Sequence, residues 1–298
     1  MRRLRLLTGR HRLAQSNRTL GLLLAFNAGA VNAGGFLVLH MYTSHMTGFT
    51  SQVADALVLG NSTLLLNALG AIFAFVCGAA VSAMKINWGR QHRLRHPYAL
   101  PLLLEAALML PFGLMGAITL GWNTPFAVPL TVLLLSFIMG LQNALAAKVS
   151  GGKVRTTHMT GNLTDLGIEL GKMLYWNRRG GPPSQQVRHN RQRLRLFGGL
   201  VLMFIAGGLA GAAGFKWLGF ICVLPLAAML LALSLPPFLD DVRRSRELRE
   251  WIEGVAVRLR LRRARVEATA PTAPASPNAP LAPTAPGAAD VVASPTTP

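Results

Sequence analysis

The stretch THMTG at residues 157–161 decides how the fold is interpreted, because the chain carries a second copy, SHMTG, at residues 44–48. Two further segments match at nearly the same spacing. LLLSF at residues 133–137 matches LLLAF at residues 22–26, and NA at residues 143–144 matches NA at residues 32–33. A leucine match means little in an apolar sequence, but a second His-Met-Thr-Gly is rare by chance. The sequence therefore predicts an internal repeat.

Long apolar runs surround these motifs in a chain of 298 residues that is 51% hydrophobic and only 14% charged. A helix needs roughly 20 apolar residues to cross the hydrocarbon core of a bilayer. We predict six spanning helices, over residues 20–41, 63–84, 98–120, 125–147, 196–214 and 215–239. The segments 47–60 and 160–174, which follow the two motifs, are helical in character but too short to cross.

The positive charges indicate an orientation. Of the 30 Lys and Arg residues, all but Lys216 fall in the N-terminal segment, in the loops at 85–95, 148–155 and 172–195, or in the C-terminal tail. With six spans these regions all face one side, which the positive-inside rule identifies as the cytoplasm. We therefore expect a multi-pass inner-membrane protein with both termini in the cytoplasm.

Three spans in each half predict an inverted topology, since an odd number of crossings turns the second half upside down. The predicted fold is all-α and integral to the membrane. It is a 3+3 inverted repeat of six transmembrane helices with two short re-entrant or half-membrane helices. Short, Gly-interrupted segments at corresponding positions of such repeats are typical of a secondary transporter's binding site.

The regions outside the repeat are basic or of low complexity. We divide the chain into a basic cytoplasmic N-terminus (1–19), two repeat halves (20–120 and 121–239), a basic amphipathic cytoplasmic helix (240–267) and a disordered Ala/Pro/Thr-rich tail (268–298). The amphipathic helix is expected to lie on the anionic inner leaflet, where its arginines also serve as an orientation signal. The net charge of +19 does not indicate nucleic-acid binding, because no nucleic-acid motif accompanies the basic blocks.

Several motifs resemble a known family. They are GGF at residues 34–36, HMTG at 45–48, and the run from GLQNA at 140–144 through RTTHMTGNLTD at 155–165. From about residue 20 to residue 235 the chain resembles the YoaK-like family of bacterial membrane proteins. That family is described as six-span and of unknown function, so the resemblance implies an architecture and a bacterial membrane but no activity. One position departs from the family pattern: Phe49 stands where the second copy has Asn162.

The two His-Met-Thr-Gly motifs are the predicted substrate site. A helix that starts at membrane depth points free N–H groups and the positive end of its dipole at a ligand, and glycine lets the backbone approach it. Two such starts predict a site for an anionic or zwitterionic solute, with no cofactor. The alternative is that the threonines cap the helices and the glycines permit tight packing. The amides nearby either join helices or line the path. The candidate substrate-binding residues are Thr47, Gly48, Thr160, Gly161, Asn162, Asn32, Gln142 and Asn143.

Four ionisable residues are candidates for proton coupling: His45, His158, Asp165 and Glu105. Histidine titrates near neutrality, and an ionisable group within a membrane is a functional hypothesis by default. The alternatives are a soft-metal path with the neighbouring methionines, or structural histidines held by hydrogen bonds. Asp165 is also explained by the helix dipole or by a pair with Arg155, and Glu105 by a buried partner.

The pattern as a whole favours a small-solute transporter. Its rivals are a non-transporting scaffold or regulatory component, whose basic tail recruits a partner, and a channel-like pore. No nucleophile elbow, zinc-protease motif or phosphate-binding loop occurs in the sequence, so we expect no enzyme activity. The expected partners are the bilayer and a small solute, and a homo-oligomer is left open.

Overall fold

The computed structural model describes residue 8 and residues 14–39, 41–121, 127–152, 154–176, 186–244, 250 and 253. All regular secondary structure in these ranges is helical, which confirms the predicted all-α class. The chain divides into a unit of residues 1–249 and a unit of residues 250–298. The second unit contributes only Glu250 and Glu253, so the predicted tail and most of the amphipathic helix lie outside the described residues.

The described part of the first unit contains six long helices and two short ones. They are α1 (Ala14–Leu39), α2 (Met46–Leu59), α3 (Ser62–Gln91), α4 (Ala99–Gly121), α5 (Ala127–Ser150), α6 (Met159–Leu174), α7 (Arg191–Leu218) and α8 (Val223–Arg244). Five described segments are long and apolar enough to cross a membrane: Arg18–Phe36, Ser62–Gln91, Ala99–Ala117, Leu130–Ser150 and Arg191–Arg244. The last, of 54 residues, holds both α7 and α8. The short helices predicted after the two motifs are α2 and α6, with 14 and 16 residues.

The boundary between the last two helices differs from the prediction. We expected it after Gly214, but α7 continues to Leu218 and a 3-10 segment, Gly219–Cys222, leads into α8. Gly219 has a φ of +62°, a value that glycine adopts without steric cost and that interrupts the helix. Gly214 stays helical, and a side chain there would collide with Cys222. Its role is therefore packing and not termination.

The outward surface of the helices is strongly apolar. Val58, Phe73 and Ile221 expose 87%, 71% and 69% of their surface. Water-soluble monomers rarely leave such extended apolar surface open. Together with the spanning lengths above, this surface indicates contact with lipid.

Three helix pairs make the most extensive contacts: α1 with α7, α3 with α5, and α4 with α8. The first two pairs depend on matching glycines. A Cβ atom on Gly207 of α7 would meet the carbonyl oxygen of Phe26 in α1. A Cβ atom on Gly78 of α3 would meet the carbonyl oxygen of Phe137 in α5. Phe26 and Phe137 are the last residues of the two matching leucine segments, so the two interfaces use equivalent positions.

Each interface has a second glycine contact, in which the glycine belongs to the other helix of the pair. Gly29 of α1 faces the carbonyl oxygen of Phe204 in α7, and Gly140 of α5 faces the carbonyl oxygen of Phe75 in α3. Small residues at such crossings let helix backbones approach closely, which is a common way of joining helices in membranes.

The helices that follow the short elements also begin alike. Asn61 caps α3 by accepting a hydrogen bond from Leu64 N at 3.0 Å, and Asn190 caps α7 by accepting from Gln192 N at 2.9 Å. The short helices pack beside them, α2 against α3 and α6 against α7.

The last turns of α8 are fixed to the loop between α3 and α4. The buried carboxylate of Asp241 accepts hydrogen bonds from the backbone N–H of His96 at 2.9 Å and lies 3.1 Å from its ring Nδ1. This contact joins segments 145 positions apart in the chain.

Candidate functional site

The two His-Met-Thr-Gly motifs come together in the fold. Ser44 and His45 of the first copy, and Thr157 and Met159 of the second, line the same two cavities. Each histidine is the residue before a short helix. The backbone angles of His45 (φ −89°, ψ 70°) nearly equal those of His158 (φ −81°, ψ 63°).

Each histidine ring folds back over the first turn of its own short helix. A Cβ atom on Gly48 would collide with the ring of His45, and one on Gly161 would collide with the ring of His158. The glycines therefore leave room for the histidines. The capping alternative for the threonines is wrong, because Thr47 and Thr160 lie inside the helices and the cap positions belong to the histidines. These histidines make no side-chain capping bond, so the ring nitrogens do not satisfy the helix starts.

An asparagine holds each motif in place. Asn32 of α1 accepts hydrogen bonds through Oδ1 from Ser44 Oγ at 2.9 Å and from Ser44 N at 3.4 Å. Asn143 of α5 accepts through Oδ1 from Thr157 N at 3.3 Å and donates through Nδ2 to Thr157 Oγ1 at 2.7 Å. Both amides therefore position a motif, and both also line a cavity.

The first cavity has a volume of about 580 Å³. It lies between α1 and α7, with the motifs at one end. Its walls are mainly apolar, and its polar groups come from residues near the motifs. It is lined by Gly29, Asn32, Ala33, Phe36, Tyr42, Ser44, His45, Thr157, Met159, Phe204, Ile205, Gly208, Leu209 and Ala212.

The second cavity, of about 380 Å³, lies between α3 and α5. It is more polar and includes one arginine and both histidines. It is lined by Ser44, His45, Met46, Thr47, Phe75, Ala79, Gly140, Asn143, Ala144, Ala147, Arg155, Thr157, His158, Met159 and Thr160.

The two cavities use equivalent positions. Asn32 and Ala33 of the first correspond to Asn143 and Ala144 of the second, in the matching segments of α1 and α5. The aromatic wall is Phe204 in one and Phe75 in the other, the same residues whose carbonyls meet Gly29 and Gly140. We call the four residues that border both cavities, Ser44, His45, Thr157 and Met159, the shared wall.

The predicted carboxylate inside a span, Glu105, lies away from the shared wall. Its side chain is completely buried and accepts a hydrogen bond through Oε1 from Asn27 Nδ2 at 3.3 Å. The amide of Gln142 lies near the same carboxyl group, but its Nε2 forms no hydrogen bond among the described residues. A buried partner was one of the alternatives predicted for Glu105, and Asn27 is such a partner.

Other predicted residues lie outside the two cavities. Gly48, Gly161, Gln142 and Asn162 border neither of them, and Asn162 is buried with its Nδ2 3.4 Å from the Arg155 carbonyl oxygen. Asp165 is exposed on α6. The expected pair between Asp165 and Arg155 does not form between these two described residues.

The acid on α6 that forms contacts is Glu169. It accepts hydrogen bonds from the backbone N–H of Asn190 at 2.7 Å and from Lys172 Nζ at 2.9 Å. The Asn190 amide, together with Lys172, lowers the pKa of the Glu169 carboxyl below its usual range. Glu169 thereby ties α6 to the start of α7. Elsewhere, within the described ranges, no three His, Cys, Asp or Glu side chains form a group that could hold a metal ion.

The parts of the cavities that α3 and α7 supply were not predicted from the sequence. Phe75 and Ala79 come from α3, and Phe204 and Gly208 from α7. A Phe followed three residues later by a Gly, at 75–78 and 204–207, is a repeat signal that could have identified them.

These helices, with their apolar outward surface and membrane-spanning lengths, define a polytopic α-helical membrane protein. A family model described as "Protein of unknown function (DUF1275)" matches residues 20–235, and the chain belongs to this family. The UPF0700 transmembrane protein YoaK of Bacillus subtilis (strain 168) is 28% identical over 170 residues, which cover 55% of this chain and 72% of that protein. The resemblance to the YoaK-like family is therefore confirmed. No solved structure matches the chain.

Proposed function

We propose that the protein is a small-solute transporter of the bacterial inner membrane, in which the solute passes from one cavity to the other through the shared wall. One observation carries this proposal. Two cavities built from equivalent residues lie on either side of four wall residues contributed by both motifs. Alternating access requires such an arrangement, since each half of a pathway must close while the other opens.

The topology in this proposal is six spans with both ends in the cytoplasm. α7 and α8 count as separate spans because each is long enough, with 28 and 22 residues, and Gly219 breaks the chain between them. The matching glycine contacts of the α1–α7 and α3–α5 pairs support a 3+3 inverted repeat. The basic ends of α3 and α5, at Arg90 and Lys148, then face the cytoplasm.

This topology assigns the cavities to opposite sides. The second cavity is lined by residues 140–147 of α5, close to the cytoplasmic end at Lys148. The first is lined by residues 204–212 of α7, well beyond its basic start at Arg191. We therefore assign the first cavity to the outer half of the membrane and the second to the inner half.

The solute class follows from the second cavity. Arg155 borders it, and so do Thr47 and Thr160 in the first turns of α2 and α6. The starts of two helices bring unpaired N–H groups and the positive ends of two dipoles to this space. A small solute with a carboxylate or a comparable anionic group suits these surroundings.

Matched cysteines test the assignment of sides. Ala33 and Ala144 are equivalent, partly buried cavity residues. In a Cys77→Ser, Cys222→Ser background, each is replaced by cysteine and treated with a membrane-impermeant maleimide on intact or inverted vesicles. We expect Ala33→Cys to react from the outside and Ala144→Cys from the inside. Reaction of both from one side would overturn the alternating-access proposal.

Flux measurements test transport itself. Proteoliposomes are supplied with a panel of labelled small carboxylates, amino acids and phosphorylated metabolites. Uptake by the unaltered protein should exceed that of empty liposomes for some class, and His45→Ala with His158→Ala should reduce it strongly. His189→Ala, outside both cavities, is the matched control. Absence of flux across the panel, or flux unchanged in the double variant, would favour the non-transporting component.

A further inference from the structure

A chain of buried polar groups connects Glu105 to the second motif. Thr156 Oγ1 donates to Gln142 Oε1 at 3.2 Å and lies 3.5 Å from Asn143 Oδ1. Asn143 in turn holds Thr157, a member of the shared wall, through two hydrogen bonds. Glu105, Gln142 and Thr156 are all completely buried, so their polar contacts lie in surroundings of low dielectric constant, where they are strong.

Several polar atoms of this chain are unsatisfied. Among the described residues, three of its buried atoms have no hydrogen-bond partner: Glu105 Oε2, Asn27 Oδ1 and Gln142 Nε2. Two of the three are acceptor oxygens on the two sides of the Asn27–Glu105 contact. Unpaired buried polar atoms are costly, and the charge on Glu105 decides which of them can be satisfied. The ionised Oε2 is an acceptor of the kind that Gln142 Nε2 lacks, whereas a protonated Oε2 is a donor of the kind that Asn27 Oδ1 lacks.

The first motif has no such chain. Thr43 precedes SHMTG as Thr156 precedes THMTG, and both threonines are completely buried. At the α1 position equivalent to Gln142 stands Val31. Thr43 Oγ1 has no hydrogen-bond partner among the described residues, whereas Thr156 Oγ1 contacts both Gln142 and Asn143. The series of polar groups that leads to the carboxyl group of Glu105 therefore reaches the second motif and not the first.

No charged side chain interferes at Glu105. The groups that interact with its carboxyl are the neutral amides of Asn27 from α1 and Gln142 from α5. The charged residues in the described parts of the helices that pack against α4 lie near helix ends: Arg18, Lys85, Arg90, Lys148, Asp240, Asp241, Arg243 and Arg244.

We infer that Glu105 is a proton site that controls the second motif alone, through Gln142 and Thr156, and so couples protons to the opening of the second cavity. This inference rests on the proposed transport function. When Glu105 is ionised, it attracts the Gln142 amide, which presents Oε1 to Thr156. When Glu105 takes a proton from water, Gln142 loses its anionic acceptor and is released. Thr156 then turns to Asn143 Oδ1 and competes there with Thr157 N, which loosens the second motif. Returning the proton to water restores the first arrangement.

The test measures the maleimide reaction of Ala144→Cys against pH, in the background free of Cys77 and Cys222. Dividing each rate by that of the same cysteine in Glu105→Gln removes the titration of the thiol itself. We expect the ratio to change by about fivefold or more between mildly acidic and mildly alkaline pH, the lower end of typical couplings between sites. Ala33→Cys, treated in the same way, should show no such change.

Isosteric variants keep the test decisive if Glu105→Gln does not fold. Thr156→Val removes the hydroxyl that relays the signal, and we expect it to abolish the pH response at residue 144. Thr43→Val, its counterpart without a partner, should leave the response intact. A response that survives Thr156→Val, or an equal response at residue 33, would overturn the inference. If the two cysteines react from opposite sides but without pH dependence, the coupling fails while the transporter survives. If both react from one side, the transporter fails.

Discussion

Gly207 in α7 lies directly against the main-chain carbonyl of Phe26 in α1, so these two helices cross at backbone contact. Gly78 and Phe137 repeat the relationship between α3 and α5. Two of the three main helix pairs therefore depend on glycines whose missing side chains let the helix backbones touch.

Replacing Gly207 or Gly78 with alanine should push the two helices of its pair apart. We expect Gly207→Ala and Gly78→Ala each to lower the free energy of unfolding by about 1–3 kcal/mol, the usual cost of overpacking, or by more where the backbone cannot yield. The measurement is the melting temperature of the purified protein in detergent. Gly167→Ala is the control, because no atom lies within 4 Å of its added Cβ. A Gly207→Ala protein as stable as the unaltered chain would contradict the close approach.

The motif glycines should respond differently. In Gly48→Ala and Gly161→Ala the added methyl group meets a histidine ring, which can rotate away, and not a backbone. We expect stability to change by less than about 0.5 kcal/mol, as at tolerant sites, while the ring leaves the first turn of its helix. Solute binding, or the histidine signals in an NMR spectrum, should change. Unaltered histidine signals in Gly48→Ala would show that the ring does not lie there.

Asn143 and Asn32 should each stabilise only the motif to which it is hydrogen-bonded. Asn143→Ala removes both hydrogen bonds to Thr157, and Asn32→Ala removes those to Ser44. Each loss costs about 1–3 kcal/mol where it leaves a buried group unpaired. Hydrogen exchange followed by mass spectrometry should show faster exchange at residues 157–161 for the first variant and at residues 44–48 for the second. Faster exchange throughout the protein in both cases would mean that the amides support the bundle and not the motifs.

The contact between α6 and α7 should weaken in acid. The pKa of Glu169 is lowered from its ordinary value of 4.5, so folding favours the carboxylate. Its contribution is fully present above about pH 4.5 and is lost as the pH falls through the lower pKa of the folded state. The difference in melting temperature between the unaltered protein and Glu169→Gln should thus shrink as the pH falls. Asp165→Asn, an exposed acid on the same helix, is the control, and a difference independent of pH would contradict the assignment.

Much of the site follows from the sequence because the two motifs match directly. The matching residues predicted the two short helices, and the match of Asn32-Ala33 with Asn143-Ala144 indicated equivalent roles, although the spacing to the motif is two residues longer in the second half. The structure adds that these amides bind the motifs as well as line the cavities. The role of Gly48 and Gly161 could not be predicted from the sequence. A glycine that leaves room for a histidine ring has the same sequence pattern as one that leaves room for a ligand.

Helix neighbours could not be predicted in the same way. Which surfaces of α3 and α7 border the cavities depends on their pairing with α5 and α1, and sequence periodicity carries no information about partners. The end of α7 was misplaced for a related reason. Gly214 and Gly219 look alike in sequence, and only the packing of Cys222 and the left-handed φ of Gly219 distinguish them.

The crossing of α1 with α7 and of α3 with α5 has a consequence for biosynthesis. Each of these pairs joins a helix from the first half of the chain to one from the second. A ribosome that has released only the first half has inserted α1 and α3 without their partners, with Gly29 and Gly78 facing lipid. The first half must therefore remain in the bilayer without these helix contacts until the second half is inserted. Two separately expressed halves, divided between α4 and α5, should assemble when produced together and be degraded when produced alone.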